Sequence, residues 1–358
     1  MHFSRIMYSV AWRVGGGVSL GLAVACSGNT GPENKTAAPP PTGHYEGPIT
    51  YQGSELRVAL ELREIRPGQL QAEVRFPQLP ELGFEPARVS YQAPQLRVAQ
   101  QATGSGGIQV QAVQEGDFLR GVLSWDSLQA DFVWARRGEA APRGFREQAL
   151  PGYQQLRLLL PDDTLARHVT LALVASPATA AAAGQRAMYL ARHGIAALVL
   201  PASATLPDSA GGVALAAVLA VLRQQAGVDS SKVGYWGRGR TTSMVAAAAS
   251  LSPRPEFVLL EGAAADTRDE AQLYSVFNRL RVPVLACYGA LDTTVQVRES
   301  ARRLRTALGY RRGTQVRILP QATPDFVQPG RTRPDGQWQW PQPAAGYWAG
   351  MLEWLRQR

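Results

Sequence analysis

The residues best placed for chemistry lie between Lys232 and Ser250. This stretch reads as a short strand (Val233 to Trp236), a tight glycine turn (Gly237 to Gly239) and a small-residue helix (Thr241 to Ala249). Arg238 and Arg240 flank the turn. Guanidinium forks suit carboxylates and phosphates, so with Asp292 and Asp325 they form a candidate site for a small polar or anionic ligand. Groups able to attack or to carry a proton are few. Ser243 is four positions past the turn, so its hydroxyl points from the helix flank. Cys287 lies inside an apolar strand and reads as a buried, inert thiol. The histidines are His2, His44, His168 and His193. They do not cluster with cysteine at metal-ligand spacing, and neither a metal nor a cofactor is expected.

Two kinds of element must position these groups. From Gly43 to about Arg137 the apolar period is two: Leu56, Val58, Leu60 and Leu62 alternate with Glu55, Arg57, Glu61 and Arg63. Half-buried antiparallel strands give that pattern, which predicts a small sandwich or half-barrel over 43–137. Residues 138–154 read as a linker. From 155 to 358, continuous apolar strands such as Val169 to Ala175, Ile195 to Leu200 and Val282 to Tyr288 alternate with helices. That alternation predicts an α/β domain with a mostly parallel sheet covered on both faces.

With 358 residues, 45% apolar and 18% charged, the chain can bury a sizeable core. The net charge of +9 is almost all arginine, since Lys35 and Lys232 are the only lysines. The arginines are scattered along the chain, which favours a solvated surface over a nucleic-acid footprint. Residues 1–25 carry Arg5 and Arg13 ahead of a short apolar run and read as a secretory signal. The following Leu22-Ala23-Val24-Ala25-Cys26-Ser27 resembles a bacterial lipobox, with Leu22 one position further from the cysteine than is usual. Cys26 is therefore the expected lipidation site, and no bridge to Cys287 is expected. Residues 26–42 would be a Pro-rich tether holding the folded part at the membrane of a bacterial envelope, periplasmic or outer. Plain secretion is the alternative.

Three landmarks in the second half resemble the α/β-hydrolase superfamily, nearest its dienelactone-hydrolase and prolyl-oligopeptidase-like branch. They are Leu190 to Ala196, Val228 to Gly237, and Val282 to Leu285 followed by Tyr288-Gly289-Ala290-Leu291-Asp292. The opening Gly43-His44-Tyr45-Glu46-Gly47 looks like the N-terminal β-domain of some secreted members. The resemblance implies a G-x-S-x-G nucleophile elbow over residues 237–241, but here the register reads Gly-Arg-Gly-Arg-Thr. Acyl transfer in this superfamily needs a serine, a histidine and an orienting carboxylate. Asp292 matches the acid. Gly239 stands at the nucleophile position and Pro324 at the histidine position, so both roles are vacant. The Arg240 amide matches one oxyanion donor. The second would come from Ala175 to Thr179, where Pro177 lacks an N–H.

Three functions follow as expectations. The first is a non-catalytic protein of this fold that binds a small ligand or an envelope partner. The second is an active serine-type acyl hydrolase with a relocated group. The third is a structural module whose β-domain does the binding.

Overall fold

The computed structural model describes residues 39–100, 107–202 and 208–358. The predicted signal, Cys26 and the tether up to residue 38 lie outside them. The first sheet contains β1 (Gly43–Tyr51), β2 (Ser54–Arg66), β3 (Gln69–Arg75), β4 (Arg88–Gln92), β5 (Gln95–Ala99), β6 (Ile108–Glu115), β7 (Phe118–Trp125) and β8 (Leu128–Gly138). They run in the order β3-β2-β1-β8-β7-β6-β5-β4. The edge strands β3 and β4 come close to each other, and Val74 bridges Phe84, so this one sheet curls into a near-barrel. The period-two apolar residues fill its interior, among them Leu60, Leu62, Val110 and Trp134.

The second sheet begins earlier than the expected 155. β9 (Phe145–Leu150) lies inside the segment that reads as a linker and forms an antiparallel hairpin with β10 (Tyr153–Pro161), which starts at that segment's end. β9 is short, lies at the sheet's edge and carries Arg146 and Glu147, so its composition resembles a loop. After it come β11 (His168–Ala175), α1 (Ala180–Arg192), β12 (Ala196–Pro201), α2 (Asp208–Leu222), β13 (Val228–Arg238), α3 (Thr241–Ala249) and β14 (Val258–Glu261). The chain continues through α4 (Arg268–Leu273), α5 (Ser275–Leu280), β15 (Val284–Gly289), α6 (Val297–Leu308), β16 (Gln315–Leu319) and, at the C-terminus, α7 (Tyr347–Arg356). The strand order is β16-β15-β14-β13-β11-β12-β10-β9, parallel from β12 to β16. Alternate residues of a strand feed opposite layers: Leu171 and Leu173 pack under α1 and α7, while Ala172 and Val174 pack under α2 and α3.

The segment between β16 and α7 ties the two sheets together. Its two small pairs are β17 (Val327–Gln328) with β20 (Gln342–Pro343) and β18 (Arg331–Thr332) with β19 (Trp338–Gln339). Trp340 enters the near-barrel core, where Trp125 stacks between it and Phe76. The Trp338 amide donates to the Gln52 carbonyl at 3.1 Å.

A second tie is ionic. Glu73 on β3 is buried and accepts from Arg75 (2.9 and 3.0 Å) and from Arg192 at the end of α1. Burial pushes this carboxyl up, but the two guanidiniums outweigh burial and hold it below its ordinary value. The folded state therefore binds this proton less tightly than the unfolded chain. The resulting stability is present above the ordinary carboxylate range and is lost as pH falls through the folded pKa. Glu73→Gln is expected to cost about 2 kcal/mol at neutral pH and to flatten the acid limb, read from urea midpoints between pH 3 and 7. An unchanged acid limb would place the proton uptake elsewhere.

Candidate functional site

The tight glycine turn expected from the sequence passes through the left-handed region at its centre. Gly239 has φ +54°, and a Cβ built there meets no atom within 4 Å. Its amide donates to the Glu261 carbonyl at 2.8 Å, which fastens the turn to the end of β14. Gly237 allows α3 to approach β13: a Cβ there would lie 3.0 Å from Val245 Cγ2. Thr241, where the elbow motif has its last glycine, is buried. Its hydroxyl donates to the Val174 carbonyl (2.9 Å) and accepts from the Arg238 amide (2.8 Å). That hydroxyl is fully used in holding the turn.

Asp292 follows β15 and is buried. Its Oδ1 accepts from the amide (2.8 Å) and the hydroxyl (2.6 Å) of Thr294. Its Oδ2 lies beside Gly262. The acid loop is fastened to the loop after β16 through the Leu291 amide and the Ala322 carbonyl (2.9 Å). Pro324 sits in that second loop, half-buried, and Asp325 follows it. Asp325 reaches the elbow: Arg238 Nη2 donates to its Oδ1 at 2.6 Å. Burial would raise the Asp325 carboxyl, but Arg238 and Arg186 hold it below its ordinary value. Arg240 is exposed, and its carbonyl accepts from the Ser243 hydroxyl at 2.9 Å. The structure thus joins Arg238 with Asp325, while Arg240 is exposed and makes no ion pair with Asp325.

This arrangement of strands and loops decides the fold. Strands β9 to β16 lie in the order first, second, fourth, third, fifth, sixth, seventh and eighth, with the turn after the fifth, the acid after the seventh and Pro324 after the eighth. The chain has the α/β-hydrolase fold. Solved structures similar to it include esterase 2 of Thermogutta terrifontis, with 15% identity, 50% of this chain and 84% of that one covered, and a TM-score of 0.36. The esterase domain of a Rhodothermus marinus protein has 20% identity, covers 48% and 83%, and has a TM-score of 0.38. The AtxE2 isopeptidase has 12% identity, covers 84% and 60%, and has a TM-score of 0.40. No protein-family model matches the chain. No curated protein matches it either.

A buried polar cluster near the turn is not legible in the sequence. Beneath the elbow, Arg186 from α1, Glu261 from β14 and Tyr347 from α7 meet, all three buried. The Tyr347 hydroxyl donates to Glu261 Oε1, and Arg186 Nη2 lies 3.5 Å from Glu261 Oε2. Arg186 also donates to the Tyr347 hydroxyl (3.4 Å) and the Asp325 carbonyl (3.2 Å). Burial would lower the Arg186 guanidinium, but Glu261, Tyr347 and Asp325 more than offset it and raise it. Burial, and then Glu261, push the Tyr347 hydroxyl well above the ordinary tyrosine range. A cavity of about 100 Å³ is lined by Arg186, Asp325, Phe326 and Trp348; another, of about 20 Å³, is lined by Leu173, Trp236, Arg238, Arg186 and Glu261. The smaller one has room for about one water molecule. The signal for the cluster is Glu261 ending an otherwise apolar buried strand, which requires a buried cation nearby.

Among the described residues the three histidines lie away from the turn. His168 starts β11, at the opposite end from the elbow, and its Nε2 is 3.0 Å from the Asp163 carbonyl. His193 Nδ1 is 2.7 Å from the Tyr189 carbonyl at the end of α1. His44 Nδ1 is 2.9 Å from Glu61 in the near-barrel. Cys287 is a free, buried thiol, pushed up to about 12 by burial with Glu261 beside it. The Ser176 amide, near the expected second oxyanion donor, donates to the Thr179 hydroxyl at 2.9 Å. Among the described residues no serine or cysteine is hydrogen-bonded to a histidine, and no group of three or more metal-ligating side chains converges. No described helix is long and apolar enough to cross a membrane.

Proposed function

We propose that this chain is a non-catalytic protein of the α/β-hydrolase fold, from the dienelactone-hydrolase and prolyl-oligopeptidase-like branch. A lipid on Cys26 holds it at a bacterial envelope, where it binds a small polar ligand or an envelope partner. One observation carries the reading: the turn that would present a nucleophile is built on Gly239, which has no side chain to attack with. Glycine adopts φ +54° at little cost, whereas a serine held there for catalysis is strained. Two further features support it. Pro324 has no side-chain proton to exchange, and the cavity lined by Arg186, Glu261, Trp236 and Arg238 has room for only about one water molecule. An anionic ligand at the mouth would compete with Asp325 for Arg238, so exposed Arg240 supplies its first contact.

Incubation with activated esters and a fluorophosphonate probe tests the catalytic part. The expected result is neither turnover above background nor labelling. Turnover that disappears with one substitution would sink the reading and restore the alternative, an active acyl hydrolase with a relocated group. The anchor is tested by labelling cells with a radioactive fatty acid: incorporation is expected in the parent and lost in Cys26→Ala.

A further inference from the structure

Between Val297 and Arg317 the chain carries seven arginines and one acid, Glu299. The sequence concentrates them in one stretch, and the fold leaves five of them, Arg298, Arg302, Arg305, Arg311 and Arg312, exposed. α6 turns Ser300, Ala301, Leu304 and Leu308 inward. Arg298, Arg302 and Arg305 follow the spacing i, i+4, i+7 and form one stripe along its exposed side. The helix ends at Gly309, and Tyr310, Arg311 and Arg312 continue the stripe, all exposed, with Tyr310 at 104%. Arg305, Tyr310 and Arg311 then border a groove of about 370 Å³ floored by Leu308 and Val316.

Glu299 is taken by Arg302 and Arg303, both at 2.7 Å. Arg305 gives one nitrogen to the Val316 carbonyl (3.1 Å), and Arg311 gives one to Asn278 (2.6 Å). Both residues stay exposed. A helix selected only for solubility would interleave signs, because like charges at this spacing repel. Guanidinium is also the cation that grips phosphate through two parallel bonds. A wholly exposed tyrosine among such arginines matches the side chains that sit at headgroup level in a membrane interface.

We propose that this arginine face seats the folded body on an anionic, phosphate-bearing membrane surface. The proposal rests on the tether reading only for delivery: seventeen residues from Cys26 to Thr42 reach at most about 60 Å when extended. Within that radius the face meets the bilayer at high local concentration.

The unit Ala38–Arg358 is compact by itself and contains all three hydrophobic cores, so it can be tested without the anchor. Co-sedimentation compares vesicles of phosphatidylcholine alone with vesicles containing an equal part of phosphatidylglycerol. Binding is expected only to the anionic vesicles and should weaken as salt rises. Arg305→Glu/Arg311→Glu/Arg312→Glu is expected to lose about 100-fold or more in affinity with an unchanged melting curve. Arg88→Glu/Arg97→Glu/Arg120→Glu, exposed arginines of the near-barrel, changes net charge equally and should retain most binding. Equal loss in the two variants, equal binding to both vesicles, or no binding would overturn the proposal. So would tighter binding to duplex DNA or to an acidic protein than to anionic vesicles. Failed acylation at Cys26 with vesicle binding intact would remove the tether alone.

Discussion

Arg186→Met is expected to destabilise the protein by about 3–5 kcal/mol, because it leaves the buried Glu261 carboxylate without its cation. The guanidinium does three jobs in one buried place. It neutralises Glu261, donates to the Tyr347 hydroxyl and donates to the Asp325 carbonyl in the loop after β16. Methionine fills much of the volume but supplies none of these. Denaturant unfolding of parent and variant measures the loss. The double variant Arg186→Met/Glu261→Gln discriminates the cause: it is expected to recover a large part of the lost stability, since no buried charge then stands unpaired. If the double variant is as unstable as the single one, packing of the arginine stem dominates and the charge argument fails.

The second large effect concerns chemistry. Gly239→Ser is expected to fold, at a cost of about 1–2 kcal/mol for a side chain in the left-handed region, because nothing lies within 4 Å of the new Cβ. It is expected to stay inert toward a fluorophosphonate, since no base is hydrogen-bonded to that position. If the proposed register holds, Gly239→Ser/Pro324→His supplies a base near Asp292 and is expected to react about 100-fold faster or more than the single variant. The acid must turn from Thr294 to serve, so the gain should fall when Asp292→Asn is added. Equal reactivity of the single and double variants would show that Pro324 does not stand where the base belongs.

The pattern of the fold was legible because it is written in periodicity. Period-two alternation from Leu56 to Trp134 marks strands with one buried face, and the buried residues of the near-barrel are those same positions. Continuous apolar runs such as Ile195 to Leu200 mark strands covered on both sides. Two things escaped. β9 is a short edge strand with charged residues, which composition cannot separate from a linker. The paired short strands between Val327 and Pro343 have no period of their own; Trp338 and Trp340 are placed by the near-barrel they enter.

The absence of a side chain at residue 239 and of a proton carrier at residue 324 is a property of the sequence itself, because identity at a position needs no coordinates once the register is known. The buried cluster near the turn was decided only by tertiary structure. Arg186, Glu261 and Tyr347 are separated by 75 and 86 residues, and nothing local relates them. A buried ion pair exists only where distant elements bring opposite charges into one dry volume. The arginines of α6 and the loop beyond it behave alike: their number is in the sequence, and their arrangement as one outward face is the work of the helix and of the core behind it.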